Sequence, residues 1–563
     1  MSGIVYSKKN RHYYNIIFSM KRHFTILAIA LFLCIGLQAK ERTTEQKRQI
    51  ALSVLNKNAA TRAVSAGNLK ELKTMKELTV VGYSDAEGFA IISNNDNNEA
   101  VLGWSDKKFN PDEMPDGLIW WLNTANEVLS TKESYTRNLT PAKIGDGTYP
   151  ESVESFVTAK WGQEAPYNQQ CPLMNGKRAL TGCVATAAAQ IMFYYGYPTQ
   201  GAGETVFDPV SFDFVDFANT TYDYANMIPV YGKDYTTQQA SAVATLMHHL
   251  GVATSMNYGT DASGAYSYKA AAAWREHFSY STRFYKRDAY KQDEWMAIIY
   301  EELANKRPIQ YGGVDEKSGG HSFVFDGYNA DGLVHVNWGW EGISDGYYDV
   351  ALLDPENYSY KSQQEMIVMH TPDAPEIPYM SQWGIINDGN FTIETYGNRI
   401  TYIATNFVNI DCDLFKGKIG LLAKSASDGT VYVVDEKTLT DNSGNESETG
   451  YLDGYSQYGY QNVSTSSLPE GTYYVYMASK ATSETDWQPI HGNESVTTMY
   501  TLTKSGNNID VTATGISHAV TTDSNIGTKD NRIYSIDGQY VGNDASKLGK
   551  GLYIKNGEKF LKK

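Results

Sequence analysis

A cysteine at the start of an alanine-rich segment is the first residue whose type and setting suggest chemistry. Cys183 opens residues 183–195, which contain four alanines and few polar residues. Alanine is the strongest helix former, Thr181 could cap the helix, and Gly196 followed by Pro198 would end it. The first turn of a helix stabilises a thiolate through backbone N–H groups and the positive dipole end, so we expect a lowered thiol pKa. An ordinary buried cysteine is the alternative for this segment taken alone.

A histidine that could serve as the base for this thiol lies further along the chain. His321 follows a pair of glycines and begins an apolar stretch, residues 321–327, that is typical of a strand. A histidine at the start of a strand beside glycines can face a cleft, and a nucleophilic thiol needs a base within hydrogen-bond reach. Taken alone, His321 is more typical of a hydrogen-bonded core histidine.

An asparagine on the next predicted strand, residues 333–340, could orient that histidine. The side-chain carbonyl of Asn337 could accept the other imidazole N–H, and a tryptophan over that bond would exclude water. His321 lies 138 residues after Cys183, and Asn337 lies 16 residues further on. Papain-type enzymes separate the cysteine from its histidine and asparagine by about 130–150 residues. Residue order and spacing together therefore predict a Cys-His-Asn set.

The blocks around these residues resemble the signature blocks of the streptopain family of papain-like cysteine peptidases. They are residues 182–190, 320–327 and 335–340, with residues 256–259 and 308–313 between them in the same order. The resemblance implies an α+β fold class, with a papain-like catalytic domain made of a helical and a β-rich subdomain and a cleft between them. It also implies broad endopeptidase activity, commonly with an apolar residue two positions before the scissile bond.

The resemblance also assigns roles to individual residues. Cys183 and His321 match the catalytic pair, and Asn337 and Trp338 match the positions that orient the histidine. Gln163 resembles a glutamine block upstream of the nucleophile. Its side-chain amide could join the Cys183 backbone N–H in an oxyanion hole that stabilises the tetrahedral intermediate. A surface glutamine is the alternative at this position.

The other histidines and cysteines lack such a context. His335 shares a strand face with the asparagine and is the alternative base, but no glycine pair opens its approach. His248 and His249 lie in an apolar helical run and are expected to be structural. Cys171 and Cys412 have no base in their sequence context, so we assign neither a catalytic role.

Composition and motifs narrow the cofactors and partners. The chain has no His-Glu-x-x-His or Cys-x-x-Cys motif, so neither a metal nor another cofactor is expected. Its formal charge is −16, without a long acidic block, which argues against nucleic acids and anionic membrane surfaces as partners. The expected partners are protein or peptide substrates, the chain's own propeptide as inhibitor, and an export machinery reached through the C-terminal module.

The N-terminus has the features of a secretory signal peptide. Lys21 and Arg22 precede an apolar run over residues 24–37, and Ala39 offers a small-residue cleavage position. A run of 14 residues is too short to span a bilayer comfortably. We expect translation to start at Met20 and the product to be secreted or held at the cell surface after export across an outer membrane.

The pattern of predicted helices, strands and turns divides the chain into five segments. They are the signal peptide (1–39), an inhibitory propeptide (40–150), the papain-like catalytic domain (151–375), an all-β sandwich (376–515) and a β-module (516–563) that resembles the C-terminal sorting modules of Gram-negative exported proteins.

The second of these segments is expected to keep the enzyme silent until export is complete. Its α+β character comes from three short predicted strands and one amphipathic helix (78–83, 88–93, 100–104 and 115–130). A polar, turn-rich stretch follows at residues 136–155, and exposed stretches of this kind are where chains are nicked. We therefore predict a zymogen that removes this unit by its own activity.

Two other functions fit the same sequence. One is an amidase or transglutaminase-like acyltransferase that uses the same thiol chemistry on the same core and differs in the acyl acceptor. The other is an adhesin that binds through its tyrosine-rich β-modules and retains a vestigial peptidase core; tyrosine totals 42 residues in the chain.

Overall fold

The computed structural model describes most of the chain after the predicted signal peptide. The described residues are 40–58, 68–84, 86–144, 147–210, 213–315, 319–353, 363–441, 443–513, 533–535, 540–542, 551–555 and 558–562. The signal-peptide prediction, Met20 included, falls outside them. Within these ranges, none of the helices has the length and apolar character needed to cross a membrane.

Six α-helices lie in the described ranges. They are α1 Thr44–Asn58, α2 Asp116–Thr131, α3 Cys183–Tyr195, α4 Thr237–Ala253, α5 Ser267–Phe278 and α6 Gln292–Ala304. Short 3-10 helices occur at Tyr224–Asn226, Arg287–Ala289 and Ala351–Leu353. Helix α2 coincides with the amphipathic helix predicted at residues 115–130, and helix α3 begins at the cysteine, as predicted.

Fourteen strands precede the C-terminal region in the part of the chain that the structure describes. They are β1 Leu69–Thr74, β2 Leu78–Tyr83, β3 Phe89–Ser93, β4 Val101–Ser105, β5 Leu173–Met174, β6 Lys177–Arg178, β7 Thr205–Asp208, β8 Asp213–Asp216, β9 Ser281–Lys286, β10 Ile309–Asp315, β11 Gly319–Tyr328, β12 Val334–Asn337, β13 Gly346–Tyr348 and β14 Gln363–His370. Ten of them form one sheet in the order β1-β2-β3-β4-β13-β12-β11-β10-β14-β9. The three strands predicted near the N-terminus are confirmed as β2, β3 and β4.

The N-terminal unit is continuous with the region that follows it, rather than a separate compact unit. Strand β4 pairs antiparallel with β13, through Trp104 opposite Tyr347 and Gly103 opposite Tyr348. A buried apolar strand such as β4 needs a partner on each edge, because unpaired backbone N–H and C=O groups are costly to bury. The predicted propeptide and the predicted catalytic domain therefore share one sheet.

The two faces of the sheet carry two different cores. Helices α2 and α6 cover one face, where Trp120, Trp121 and Phe323 lie in a single buried cluster. Helices α3, α4 and α5 pack on the other face, with Val324 and Ile367 of the sheet in their cluster. This second arrangement sets the helical subdomain against the β-rich one, as the predicted papain-like architecture requires.

The predicted linker at residues 136–155 is only partly exposed. Arg137 is buried and forms an ion pair of 2.7 Å with Asp349, and Ala142 is fully buried. From Val153 onward the chain is bonded to the sheet, since Val153 and Tyr328 exchange both backbone hydrogen bonds. The expectation of an exposed linker is therefore wrong for part of this stretch, and its mostly exposed parts are residues 138–140 and 147–152.

The regular secondary structure in the described residues of the C-terminal region is all β, as predicted. Its strands are β15 Trp383–Ile385, β16 Phe391–Tyr396, β17 Arg399–Asn409, β18 Gly417–Ser425, β19 Val431–Thr438, β20 Gly454–Ser464, β21 Gly471–Ala481, β22 Gln488–Pro489, β23 His491–Gly492, β24 Met499–Ser505, β25 Asn508–Ala513, β26 Ile533–Ser535, β27 Tyr540–Gly542, β28 Gly551–Lys555 and β29 Glu558–Lys562. Strands β15 to β25 form two sheets that enclose one apolar core, which is the predicted β-sandwich. Strands β26 to β29 form a separate four-stranded sheet.

Candidate active site

The cysteine predicted as nucleophile is the first residue of helix α3. Gly182 precedes it with a φ of 87°, a left-handed conformation that favours glycine. The prediction that Thr181 caps the helix is wrong, because Gly182 occupies the cap and no side chain bonds there. The Thr181 hydroxyl lies instead 2.8 Å from that of Thr186. The predicted stop at Gly196 is confirmed, with a φ of 61° at the C-terminal cap.

The thiol of Cys183 lies against the strand that carries His321. Its Sγ atom is 4.0 Å from the carbonyl oxygen of Gly320, and the backbone N–H of Ser322 also faces the sulfur. Helix α3 and strand β11 thus bring the cysteine segment and the histidine segment together, as the sequence predicted. Both residues that flank His321 contact the thiol.

The pKa of the Cys183 thiol is raised, contrary to the expectation from the helix N-terminus. Burial disfavours the thiolate and is the largest effect. The backbone N–H groups of Ser322, Val184 and Cys183 act in the opposite direction, and the carboxylate of Asp116 adds to the increase. Asp116 is the first residue of helix α2, so the N-terminal unit contributes directly to keeping the thiol protonated.

The side chain of His321 is half-buried on strand β11. It shares a face of the sheet with Phe323, which lies in one core with Trp120 and Trp121 of helix α2. His321 lies directly opposite Gly313 on β10, and residues directly opposite each other share a face. A Cβ atom on Gly313 would overlap with the indole of Trp120. The absence of a side chain at Gly313 therefore makes room for Trp120 beside the histidine.

Asn337 is fully buried, and its amide is held by three hydrogen bonds. Its Nδ2 atom donates to the carbonyl of Ala159 at 2.8 Å and to Oε1 of Gln190 at 3.0 Å. Its Oδ1 atom accepts from the backbone N–H of Gly339 at 3.0 Å. In the full-length chain, the contacts of Asn337 join strand β12 to helix α3 and to the segment that contains Ala159.

Trp338 lies next to Asn337 and is covered by the N-terminal unit. Its ring centroid is 4.8 Å from that of Phe323, and its indole N–H donates to the carbonyl of Ser344 at 3.1 Å. A Cβ atom on Gly117, in the first turn of α2, would lie 2.7 Å from Cε3 of Trp338. Helix α2 therefore packs onto the tryptophan predicted to shield the histidine.

Gln163 lies on a loop that is fastened beside the start of helix α3. The backbone carbonyl of Gln163 accepts from the N–H of Thr181 at 3.2 Å, two residues before Cys183. The N–H of Trp161 donates to Oε1 of Gln190 at 3.1 Å. The side chain of Gln163 is half-buried. The bond to Thr181 holds the loop that carries it beside the residues that precede Cys183.

Gln190 is the site residue to which the sequence assigned no role. It is fully buried on α3 and bonds both Trp161 and Asn337. A signal for it existed in the sequence: it lies seven residues after Cys183, two helical turns away on the same face, and apart from Thr186 its neighbours in residues 184–193 are apolar.

The alternative base, His335, is engaged elsewhere. Its Nδ1 atom lies 2.5 Å from Oδ1 of Asp326, and the other carboxylate oxygen of Asp326 accepts from the N–H of Val157. These contacts tie β12, β11 and the segment after the linker to one another. They support a structural role for His335.

Cys171, Cys412 and His249 have largely buried, bonded surroundings. Burial raises the pKa of Cys171 to about 12, and it also raises that of Cys412, which lies 3.4 Å from Nη2 of Arg275. Burial lowers the pKa of His249 to about 4, and the ring accepts or donates a hydrogen bond of 3.2 Å with Tyr222. Cysteines 171, 183 and 412 form no disulfide among the described residues.

Two sequence models of known families match this chain. The model of the peptidase C10 family matches residues 161–348, which contain the thiol, the histidine strand and the asparagine strand. The model described as Spi protease inhibitor matches residues 39–129, which contain β1 to β4 and helix α2. An inhibitor unit followed by a thiol-bearing helix defines a cysteine peptidase in its zymogen form.

The chain belongs to the peptidase C10 family and carries a Spi-type inhibitor domain ahead of the peptidase region. The resemblance to streptopain-like peptidases and the enzyme class, a cysteine peptidase, are thereby confirmed. The thiol protease/hemagglutinin PrtT of Porphyromonas gingivalis is 30% identical over 407 residues, which are 66% of this chain and 46% of that protein. The chain therefore spans about half the length of that relative.

Streptopain of Streptococcus pyogenes is 29% identical over 354 residues, which are 56% of this chain and 86% of streptopain. Two solved structures are also similar. A prointerpain A fragment of Prevotella intermedia has 39% identity, a TM-score of 0.47 and coverage of 53% of this chain and 97% of that one. Active interpain A from the same organism has 42% identity, a TM-score of 0.36 and coverage of 41% and 97%.

Proposed function

We propose that this chain is the zymogen of a secreted cysteine endopeptidase with Cys183 as nucleophile and His321 as general base and acid. The observation that carries the proposal is the contact of the Cys183 thiol, at the N-terminus of α3, with the backbone on both sides of His321. A thiol nucleophile requires a base within hydrogen-bond reach, and His321 is the titratable residue at the centre of that contact.

The proposed reaction runs through an acyl-enzyme. His321 takes the thiol proton while Sγ attacks the carbonyl carbon of the substrate. The resulting oxyanion accepts from the Cys183 backbone N–H and from the side-chain amide of Gln163. His321 then protonates the leaving amine, and water, deprotonated by His321, releases the acid and restores the thiol. Asn337 and Trp338 orient and shield the imidazole once the N-terminal unit has left.

The proposed zymogen keeps the domain division expected from the sequence. Residues 1–39 are the signal peptide, residues 40–150 the inhibitory propeptide, residues 151–375 the catalytic domain, residues 376–515 the β-sandwich and residues 516–563 an export module. The exposed stretch at 147–152 is the proposed processing region, because cleavage there leaves the pairing of Val153 with Tyr328 intact. Substrates are proteins and peptides, and the product acts outside the cell.

The test compares Cys183→Ala with Cys171→Ala and wild type. Wild type and Cys171→Ala are expected to digest casein and to shorten at the N-terminal side by roughly 10–12 kDa, for a unit of about 100 residues. Cys183→Ala is expected to stay full length and inactive with an unchanged thermal melt. Casein digestion by Cys183→Ala at the wild-type rate would contradict the proposal. Activity on small amides alone would favour an amidase.

A further inference from the structure

One buried side-chain oxygen links two parts of the candidate site. Oε1 of Gln190 accepts the backbone N–H of Trp161 at 3.1 Å and Nδ2 of Asn337 at 3.0 Å. Gln190 is fully buried, and its position seven residues after Cys183 fixes it to the nucleophile helix. The oxygen therefore holds the asparagine strand and the Gln163 loop against the same helix.

The orientation of the Gln190 amide follows from its partners. Both groups that face Oε1 are N–H donors, so a flipped amide would set donor against donor. Nε2 of Gln190 is buried and has no hydrogen-bond partner among the described residues. The contribution of this side chain to the site is thus the acceptor oxygen alone.

The bond from Gln190 determines what Asn337 can offer to the imidazole. The two hydrogens of Nδ2 are used by Gln190 and by the carbonyl of Ala159. Oδ1 accepts one N–H, from Gly339, and a carbonyl oxygen has a second lone pair. Asn337 therefore presents an acceptor and no free donor, which is the arrangement required to accept an imidazole N–H.

The second hydrogen bond that Gln190 accepts, from Trp161, fastens the loop of the proposed oxyanion hole. Trp161 lies two residues before Gln163, whose own backbone carbonyl accepts from Thr181. Trp161 is also held by its backbone carbonyl, which accepts from the N–H of Glu341 at 3.1 Å, and by its indole N–H, which donates to the carbonyl of Ile228 at 2.9 Å. Loss of the bond to Gln190 would therefore remove one of several attachments of this loop. A shift of about 1 Å in a positioning element is enough to cost about 100-fold in rate.

We propose that Gln190 is a positioning residue that sets the orientation of the Asn337 amide and the location of the Gln163 loop at the same time. The inference rests on the proposed function, since it concerns the reaction of Cys183 and His321. Gln190 acts through these residues and does not touch the substrate. Its loss should therefore lower kcat and leave KM close to the wild-type value.

The test uses the full chain, processed with a trace of mature wild-type enzyme and titrated with a thiol-reactive epoxide to count active sites. Gln190→Leu is expected to lower kcat by about 10- to 100-fold with little change in KM. Gln190→Glu, whose carboxyl group burial keeps protonated, retains the acceptor oxygen and gives up no hydrogen bond at Nε2, so it is expected to recover most of the lost kcat. Met192→Leu, another fully buried change on α3, is the matched control and should keep wild-type kcat.

A double-mutant cycle separates the effects of the two hydrogen bonds that Gln190 accepts, from Asn337 and from Trp161. In an Asn337→Ala background, Gln190→Leu should lower kcat clearly less than it does alone. The decrease that remains measures the contribution of the bond between Gln190 and Trp161. Equal losses in both backgrounds, or a kcat for Gln190→Leu equal to that of Met192→Leu, would overturn the inference. These outcomes require an active wild type, so an inactive wild type would instead refute the proposed function.

Discussion

The indole of Trp120 occupies the space in which Gly313 would carry a side chain, on the strand position directly opposite His321. Trp120 belongs to the inhibitor domain and Gly313 to the peptidase region. The inhibitor domain therefore packs beside His321, in a space that is open because Gly313 has no side chain.

We expect Trp120→Leu to weaken this contact and to shorten the lag before self-processing severalfold. Leucine keeps the site apolar but does not fill the space over Gly313. Val128→Ala, two turns further along the same buried helix face, is the control for a general loss of packing. Time courses of mass and of Cys183 labelling measure the lag, and an equal lag in both variants would argue against a specific role for Trp120.

The raised pKa of Cys183 predicts how its reactivity changes on maturation. The full chain keeps the thiol protonated because of burial and Asp116, so alkylation at pH 7 should be slow. Removal of residues 40–150 should lower the thiol pKa and speed the reaction. Rates of iodoacetamide modification against pH for both forms provide the measurement. Cys171 is the internal control, since its pKa of about 12 should leave it unmodified at pH 9 in either form.

Cleavage of the exposed stretch at 147–152 should not release the inhibitor domain. Strand β4 remains paired with β13, and helix α2 remains in the core that contains Phe323. We expect the two fragments of Cys183→Ala, cut by a trace of mature enzyme, to elute together in native gel filtration and to separate in denaturant. Separate elution in native buffer would show that the shared sheet contributes little to binding.

Two ion pairs between the catalytic region and the β-sandwich should differ in strength. Arg283 and Asp411 are nearly buried at 2.9 Å, with side-chain exposures of 12% and 6%. Arg275 and Asp413 are more open, at 28% and 50%. Arg283→Met leaves a buried carboxylate unpaired and should cost about 3 kcal/mol. Arg275→Met should cost less than about 1 kcal/mol. Urea unfolding of both variants gives the comparison.

The same interface should weaken in acid because of His491. Burial and the nearby Arg283 lower its pKa to about 4, and the ring N–H donates to the carbonyl of Ser381 at 3.1 Å. The unfolded chain binds this proton near pH 6.5, so stability falls as pH drops from about 6.5 to 4, by at most about 3 kcal/mol. In His491→Gln the decline over this window should be smaller. Thermal melts at pH 7, 5.5 and 4 provide the test.

Residue types and spacing predicted much of the candidate site. The helix that begins at Cys183 and the strands that carry His321 and Asn337 have strong local patterns, and all three are present. Strand β11 begins at Gly319, two residues before His321, and β12 is shorter than the predicted 333–340 and ends at Asn337. Strands β2 to β4 and helix α2 were readable for the same reason. Period-2 and period-3.6 patterns report a local choice of conformation and need no knowledge of distant residues.

The sequence by itself thus determined the chemistry available to this protein: a thiol on a helix N-terminus, a histidine after a glycine pair and an asparagine 16 residues beyond it. Only the tertiary structure determined which groups surround these residues and whether the thiol is protonated. The pairing of β4 with β13 and the position of Trp120 over Gly313 join residues more than 190 positions apart. The pKa of Cys183 rises because segments distant in sequence bury it, and the bonds of Gln190 depend on a loop and a strand that meet only in the folded chain. Burial and hydrogen bonding are properties of the assembled packing, which local sequence patterns do not encode.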